Sequence, residues 1–405
     1  YWLPGVLSKK QLEFLYDNHF IRGIDNFKKT TDYSSIDLHL SDEGWEMNRG
    51  SIKPFGGDYM SFLDNPNLAT KLNPEVGGGF HLEKNRCYVF KLKESVVPGE
   101  LAKLDIIGQA TAKSTIGRLD VIARLIVDGM REYDKLNPEE IKGTTRGDLF
   151  LEIVPISFNI RVKKDISLSQ LRFFKGDPDD ALIRDKDFIK AILKGSTDGE
   201  GFLSVNLRDE SITGGLTCAA FRARHETDVI DAWKKDPKDR PNPCDFWRCD
   251  ITGGTERLEI EKDQFYILRS LERIALPSGV AVYARAMDET LGEMRIHYAG
   301  FAHPYFGFDT EKEEQRGTPL IFEVRGHSVN VSLNHGERLA KLNFYRMSDE
   351  DEYEKPEDRS EDEAEDDYNK QELKLSNIFR RWPAQCQVDD CGRILEEHLR
   401  NEEGA

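Results

Sequence analysis

Short alternations of apolar and polar residues, broken by Gly, Asp and Asn, recur along most of the chain. A period of two puts one face of a segment inside and the other in water, so these runs predict strands. Ser35-Ile36-Asp37-Leu38-His39-Leu40 is one of them, and Phe158, Ile160 and Val162 mark another. Helical signals are few. Ser8 stands as an N-cap before Lys9–Tyr16, which predicts one opening helix.

The alternation repeats. Cys87-Tyr88-Val89-Phe90, Val97-Pro98, Glu152 and Leu171-Arg172-Phe173 are matched by Phe265-Tyr266-Ile267-Leu268, Leu276-Pro277, Glu323 and Leu342-Asn343-Phe344. From the glutamate onward the offset is a constant 171 residues. Phe158, Ile160 and Val162 have Val329, Val331 and Leu333 as counterparts. Two copies at this length predict duplication of one all-β domain, with few short helices, as tandem barrels or sandwiches. The expected layout is a first domain over 1–176, a charged connector with a short helix over 177–198, and a second domain over 199–347. An acidic linker over 348–369 and a tail of short helices over 370–405 follow. Leu373, Leu375, Ile378, Phe379 and Trp382 are apolar enough for the tail to dock on something.

The chain of 405 residues has room for two domains. Its net charge of −17 argues against broad nucleic-acid binding. Much of that excess is local: residues 349–367 hold thirteen acidic and two basic residues. Such a run buries too little apolar surface to fold and is expected to be disordered. The rest is only mildly acidic, so an anionic ligand could still find a basic pocket. No apolar run approaches the ~20 residues of a membrane helix. Residue 1 is Tyr, so the natural start is expected upstream; nothing nearby has the layout of a signal peptide. Six sparse cysteines fit a reducing, cytoplasmic setting. Cys244/Cys249 and Cys386/Cys391 are C-x4-C pairs without histidines at zinc-ligand spacing, so ordinary thiols are expected.

The chemistry concentrates in two places. Ala112-Lys113-Ser114-Thr115-Ile116-Gly117-Arg118-Leu119-Asp120 offers hydroxyls, a lysine and an arginine in one turn, suited to a phosphate or a polarised water. Phe150-Leu151-Glu152-Ile153-Val154-Pro155 puts a carboxylate inside an apolar strand. A buried carboxyl is costly to ionise, which suits a poised proton acceptor, although a structural pairing of Glu152 with Arg118 satisfies the same pattern.

Together the two segments resemble the dCTP deaminase branch of the dUTPase-like fold, in its long, two-domain form, over most of residues 5–347. That family carries a Ser-Ser-x-x-Arg turn and, downstream, a strand with a glutamate. The resemblance implies a hydrolytic, metal-independent deamination of dCTP to dUTP and ammonia. Glu152 would activate water at C4 of the base, with Arg118 and Ser114 holding the water and the glutamate. Lys113, Ser114 and Thr115 would lie near the phosphates; Thr115 keeps the hydroxyl where the family usually has Ser. An aspartate in this stretch borders the deoxyribose, and either Asp128 or Asp134 could be its match. Magnesium would enter only with the triphosphate, and a homotrimer is implied because the family's sites lie between subunits.

The second copy departs from this pattern. It keeps Glu323 but carries Arg285-Ala286-Met287-Asp288-Glu289-Thr290-Leu291-Gly292-Glu293 where the turn should be, and acids there would repel phosphates. Its Ala302-His303-Pro304-Tyr305-Phe306-Gly307 has His303 where the family has an aspartate. It is therefore expected to be degenerate as a site, completing the assembly or lining the first domain's pocket. His297 and His303 lack a carboxylate motif and are expected to be structural rather than a metal pair. Zinc-type cytidine deaminases need His-x-Glu and Pro-Cys-x-x-Cys, whereas Pro243-Cys244-Asp245-Phe246-Trp247-Arg248-Cys249 has the wrong spacing. Two rivals stand beside deamination: a bifunctional enzyme that also cleaves the triphosphate, and a nucleotide sensor that has lost turnover.

Overall fold

The computed structural model describes residues 2–143, 147–211, 217–225, 227–233, 238–286, 294–296, 300–308, 316–349, 372–380 and 382. The acidic run beyond 349, Met287–Glu293, His297, Cys386 and Cys391 lie outside the described residues.

The opening helix α1 (Lys9–Asp17) begins at Ser8 with a capping box: the Ser8 side chain meets Gln11 N, and the Gln11 side chain returns to Ser8 N. The first half then builds β1 (Ile36–Met47), β2 (Tyr88–Val96), β3 (Ile106–Ala112), the one-turn helix α2 (Ser114–Gly117), β4 (Val121–Val127), β5 (Asp148–Pro155) and β6 (Ser167–Lys175). They hydrogen-bond in the order β4-β5-β2-β1-β6-β3, all antiparallel. Strand β1 turns a corner. Its start pairs with β6 and its end with β2, across a register shift between Leu40 and Gly44. Gly44 is needed there, because a Cβ would meet the Phe90 ring at 2.5 Å.

The connector is more than a tether. Helix α3 (Lys186–Ile192), capped by Asp185, runs into Leu193–Lys194, which pairs with a strand of the second half. Ile189, Ile192 and Leu193 belong to that half's core. The second half builds β7 (Ala220–Ala223), β8 (Trp247–Asp250), β9 (Phe265–Ile274), β10 (Val280–Ala286), β11 (Thr318–Gly326) and β12 (Arg338–Arg346). Its two main sheets run β8-β7-β9-β11 and, separately, β12-β10 with short flanking strands.

The repeat is visible in the pairing. Each glutamate strand lies antiparallel to the long strand before it: Glu152 stands opposite Val89, and Glu323 opposite Ile267. Each closing strand pairs with the strand after the proline, as in Leu171 with Ala110 and Leu342 with Ala284.

The halves do not fold as separate beads. One apolar core joins Phe158 and the first half to Phe221, Trp247, Phe265 and Ile267 on the second half's sheet. Arg172, fully buried, donates from β6 to the carbonyls of Val282 (3.0 Å) and Ala302 (3.2 Å). Leu373, Leu375, Ile378, Phe379 and Trp382 enter the same core, so the tail docks as its composition predicted. It does so without helix among its described residues. Ser376 Oγ accepts from Ile378 N, a local bond that competes with helix.

Candidate active site between the two halves

The turn at 113–120 follows the end of β3. Lys113 is extended, α2 makes one turn, and Asp120 takes a left-handed φ of +56° that sends the chain into β4. Ile116 and Leu119 anchor the turn in the core, Ser114 is exposed, and Arg118 is buried.

The carboxylate that meets this turn is Glu323, from β11 of the second half. A Cβ on Gly117 would lie 2.8 Å from Glu323 Oε2 and 3.1 Å from its Cδ. A side chain at 117 would therefore have to displace the carboxylate. Burial pushes the Glu323 carboxyl up to about 8; Arg118 pulls it down and Asp120 pushes it up. A carboxyl in that range holds both protonation states near neutrality, as general acid–base chemistry requires.

Glu152 is held elsewhere. Its Oε2 accepts from Ser51 Oγ at 2.5 Å and from Tyr133 OH at 3.0 Å. Burial and the Glu152 charge push the Tyr59 and Tyr133 hydroxyls and the Cys87 thiol upward. The strand register does not favour the alternative, a structural pairing of Glu152 with Arg118. The arginine opposite Glu152 on β4 is Arg124, which pairs with Asp134 and lies 4.8 Å over the Tyr133 ring. Arg118 precedes β4, whose first residue already pairs with Pro155 at the far end of β5.

The remaining candidates divide between turn and framework. Thr115 is half-buried, and its carbonyl accepts from Ser376 Oγ at 2.8 Å. Lys113 Nζ is paired with Asp37 on β1, so a phosphate would have to compete for it. Asp128 accepts from Tyr59 N at 2.8 Å. Asp134 accepts from Leu125 N at 2.7 Å and pairs with Arg124. These contacts tie both aspartates to the fold. His303 reaches back to the first half, its Nδ1 3.0 Å from Ser34 Oγ and its Nε2 3.5 Å from Asp32.

The tail closes over the turn. Arg118 Nη1 donates to Leu375 O at 3.3 Å. Glu372 pairs with Arg273 at 2.7 Å, and Trp382 lies 5.1 Å from the Phe221 ring. The sequence allowed the second half to line the first half's pocket but did not single out Glu323 as the carboxylate against the turn. The available signal was complementary spacing, Arg118-x-Asp120 against Glu323-x-Arg325.

The duplicated, mostly β halves packed on one core have the architecture of a two-domain dUTPase-like protein. The chain belongs to the dCTP deaminase family in its two-domain form. The family model for the 2'-deoxycytidine 5'-triphosphate deaminase (DCD) N-terminal domain matches residues 3–177, and that for the C-terminal domain matches 179–379. The C-terminal match therefore takes in the docked segment 372–379. The crystal structure of 2'-deoxycytidine 5'-triphosphate deaminase from Agrobacterium tumefaciens is 30% identical, with a TM-score of 0.73, covering 86% of this chain and 99% of that one. No curated protein is similar enough in sequence to match.

Proposed function

We propose that this enzyme deaminates dCTP to dUTP at a site made by both halves, with Glu323 as the proton carrier. The observation that carries this reading is the contact of the Glu323 carboxylate with Gly117, inside the Ser114-Thr115-Ile116-Gly117-Arg118 turn. Water adds to C4 of the cytosine ring as Glu323 takes its proton. Glu323 passes that proton to N3; it then takes the proton of the added hydroxyl and delivers it to the amino group as the C4–N4 bond breaks, so ammonia leaves with the electron pair and a C4 carbonyl remains. Arg118 steadies the carboxylate and the charge developing at the ring. Ser114, exposed at the rim, orients the water or a phosphate oxygen, and Lys113 and Thr115 stand nearest the phosphates. Magnesium enters with the triphosphate as part of the substrate.

A threefold assembly is proposed from the family resemblance alone, and the paired halves do not need it to complete this site. No helix among the described residues is long and apolar enough to cross a membrane.

The test is ammonia release from dCTP with magnesium, with chromatography of the nucleotide, for wild type, Glu323→Gln and Glu152→Gln. Glu323→Gln should lose about 10²–10⁴-fold in turnover, the usual contribution of a general acid–base. Glu152→Gln should stay within about tenfold of wild type, because its carboxylate serves Ser51 and Tyr133. The reverse result returns the base to Glu152. Binding without ammonia release by wild type would make the protein a sensor.

A further inference from the structure

A second charged contact crosses the same boundary. Asp120 and Arg118 lie two residues apart on the turn, and Arg325 and Glu323 lie two residues apart on β11. Alternation places Glu323 and Arg325 on one face of the strand, while Val324 turns into the second half's core. Arg325 Nη1 is ion-paired with Asp120 Oδ2. Ser157 Oγ, just beyond β5, donates to the same oxygen at 2.6 Å and accepts from Arg325 Nη1 at 3.3 Å. Asp120 is fully buried. Its backbone is also tied down: its N–H donates to Gly117 O and its carbonyl accepts from Ile156 N, both at 2.9 Å. Arg-x-Asp on one half thus meets Glu-x-Arg on the other, with charges alternating across the boundary.

We infer that Asp120, Ser157 and Arg325 are positioning residues that register β11 against the turn and so set Glu323 beside Gly117 and Arg118. A slip along β11 would break the Asp120–Arg325 pair and move the carboxylate off the turn together. The inference rests on Glu323 as the proton carrier. The charged groups acting on Glu323 are Arg118 and Asp120, both from the turn. Arg325 shares its strand face, Ile267 faces it from β9, and Arg295 is Arg325's register partner on the neighbouring strand.

The inference predicts opposite electrostatic effects from its two ends. Asp120→Asn removes a negative charge that raises the Glu323 carboxyl, and asparagine tolerates the left-handed φ as aspartate does. Arg325→Gln leaves the Asp120 charge uncompensated. Each variant should lower kcat about 100-fold with KM little changed, the cost of a misplaced catalytic group. The acid limb of kcat/KM against pH should move down in Asp120→Asn and up in Arg325→Gln. Arg325→Lys keeps the charge but not the fork, so it should hold the limb at the wild-type pH with kcat between those of wild type and Arg325→Gln. A merely structural pair would lower the melting temperature in all three and leave the limb in place. Wild-type turnover in the folded variants, or limbs that do not move apart, overturns the inference. If the first two variants fail to fold, Arg325→Lys decides: wild-type kcat in it sinks the positioning role. Glu323→Gln run alongside separates the cases, because full activity there sinks the proton carrier itself.

Discussion

A carboxyl shifted upward by burial leaves a mark on stability as well as on catalysis. Glu323 keeps its proton in the folded state up to about 8, whereas the unfolded chain releases it near 4.5. Between those values the folded state binds more protons, so this group's contribution to stability falls as pH rises through the window, by up to about 1.4 kcal/mol per unit. Glu323→Gln removes that penalty. It should melt higher than wild type at pH 8.5, with little difference at pH 4.5, in the same buffer and salt. Equal differences at both values would mean that the carboxyl titrates as if unburied. Gly117 supplies a steric test of the same contact. Gly117→Ala puts a methyl against Glu323 Oε2 and should cost about 100-fold in turnover by displacing it. Gly143→Ala, where a Cβ would meet nothing within 4 Å, is the matched control and should turn over like wild type.

The docked tail segment is the element whose role is easiest to misjudge. Phe379 is buried 5.3 Å from the Phe246 ring and 6.1 Å from Trp247, and Ser376 and Leu375 contact the turn. Phe379→Ala should therefore destabilise the whole chain by about 3 kcal/mol, as a core aromatic truncation does, measured by denaturant unfolding. A wild-type midpoint would mean the segment rides on the surface. The apolar spacing of Leu373, Leu375, Ile378 and Phe379 made docking legible in the sequence. It did not fix the conformation, since irregular chain and helix can both bury such a set once a groove is supplied. The strands, the repeat and the N-cap at Ser8 were legible because each is local: alternation, offset and a capping residue before a helical run. The partner of the Ser114–Arg118 turn was not. Glu152 and Glu323 sit in equivalent strands with similar apolar flanks, and only the docking of the halves decides which reaches Arg118. The second half lacks its own turn, so its pattern alone shows a degenerate site and not which turn Glu323 faces.

At the scale of the molecule, the proposed site divides the labour between the duplicated halves: the first would supply the intact turn and the second the carboxylate. The Glu152 position is closed by the first half's own Ser51 and Tyr133. One chain then carries one complete site, and the proposal separates cleanly from a site shared between chains. Arg118→Met and Glu323→Gln are each expected to be inactive, for different reasons. Co-expressed in equal amounts, they should remain inactive if turn and carboxylate come from the same chain, because every chain then lacks one of the two. If instead the turn of one chain met the carboxylate of another, random assembly would restore about a quarter of the sites. Chains tagged differently and purified through both tags supply the mixed species, and ammonia release from dCTP reads the outcome. Recovery of activity would place the catalytic boundary between chains; its absence in a mixed oligomer would hold it within one.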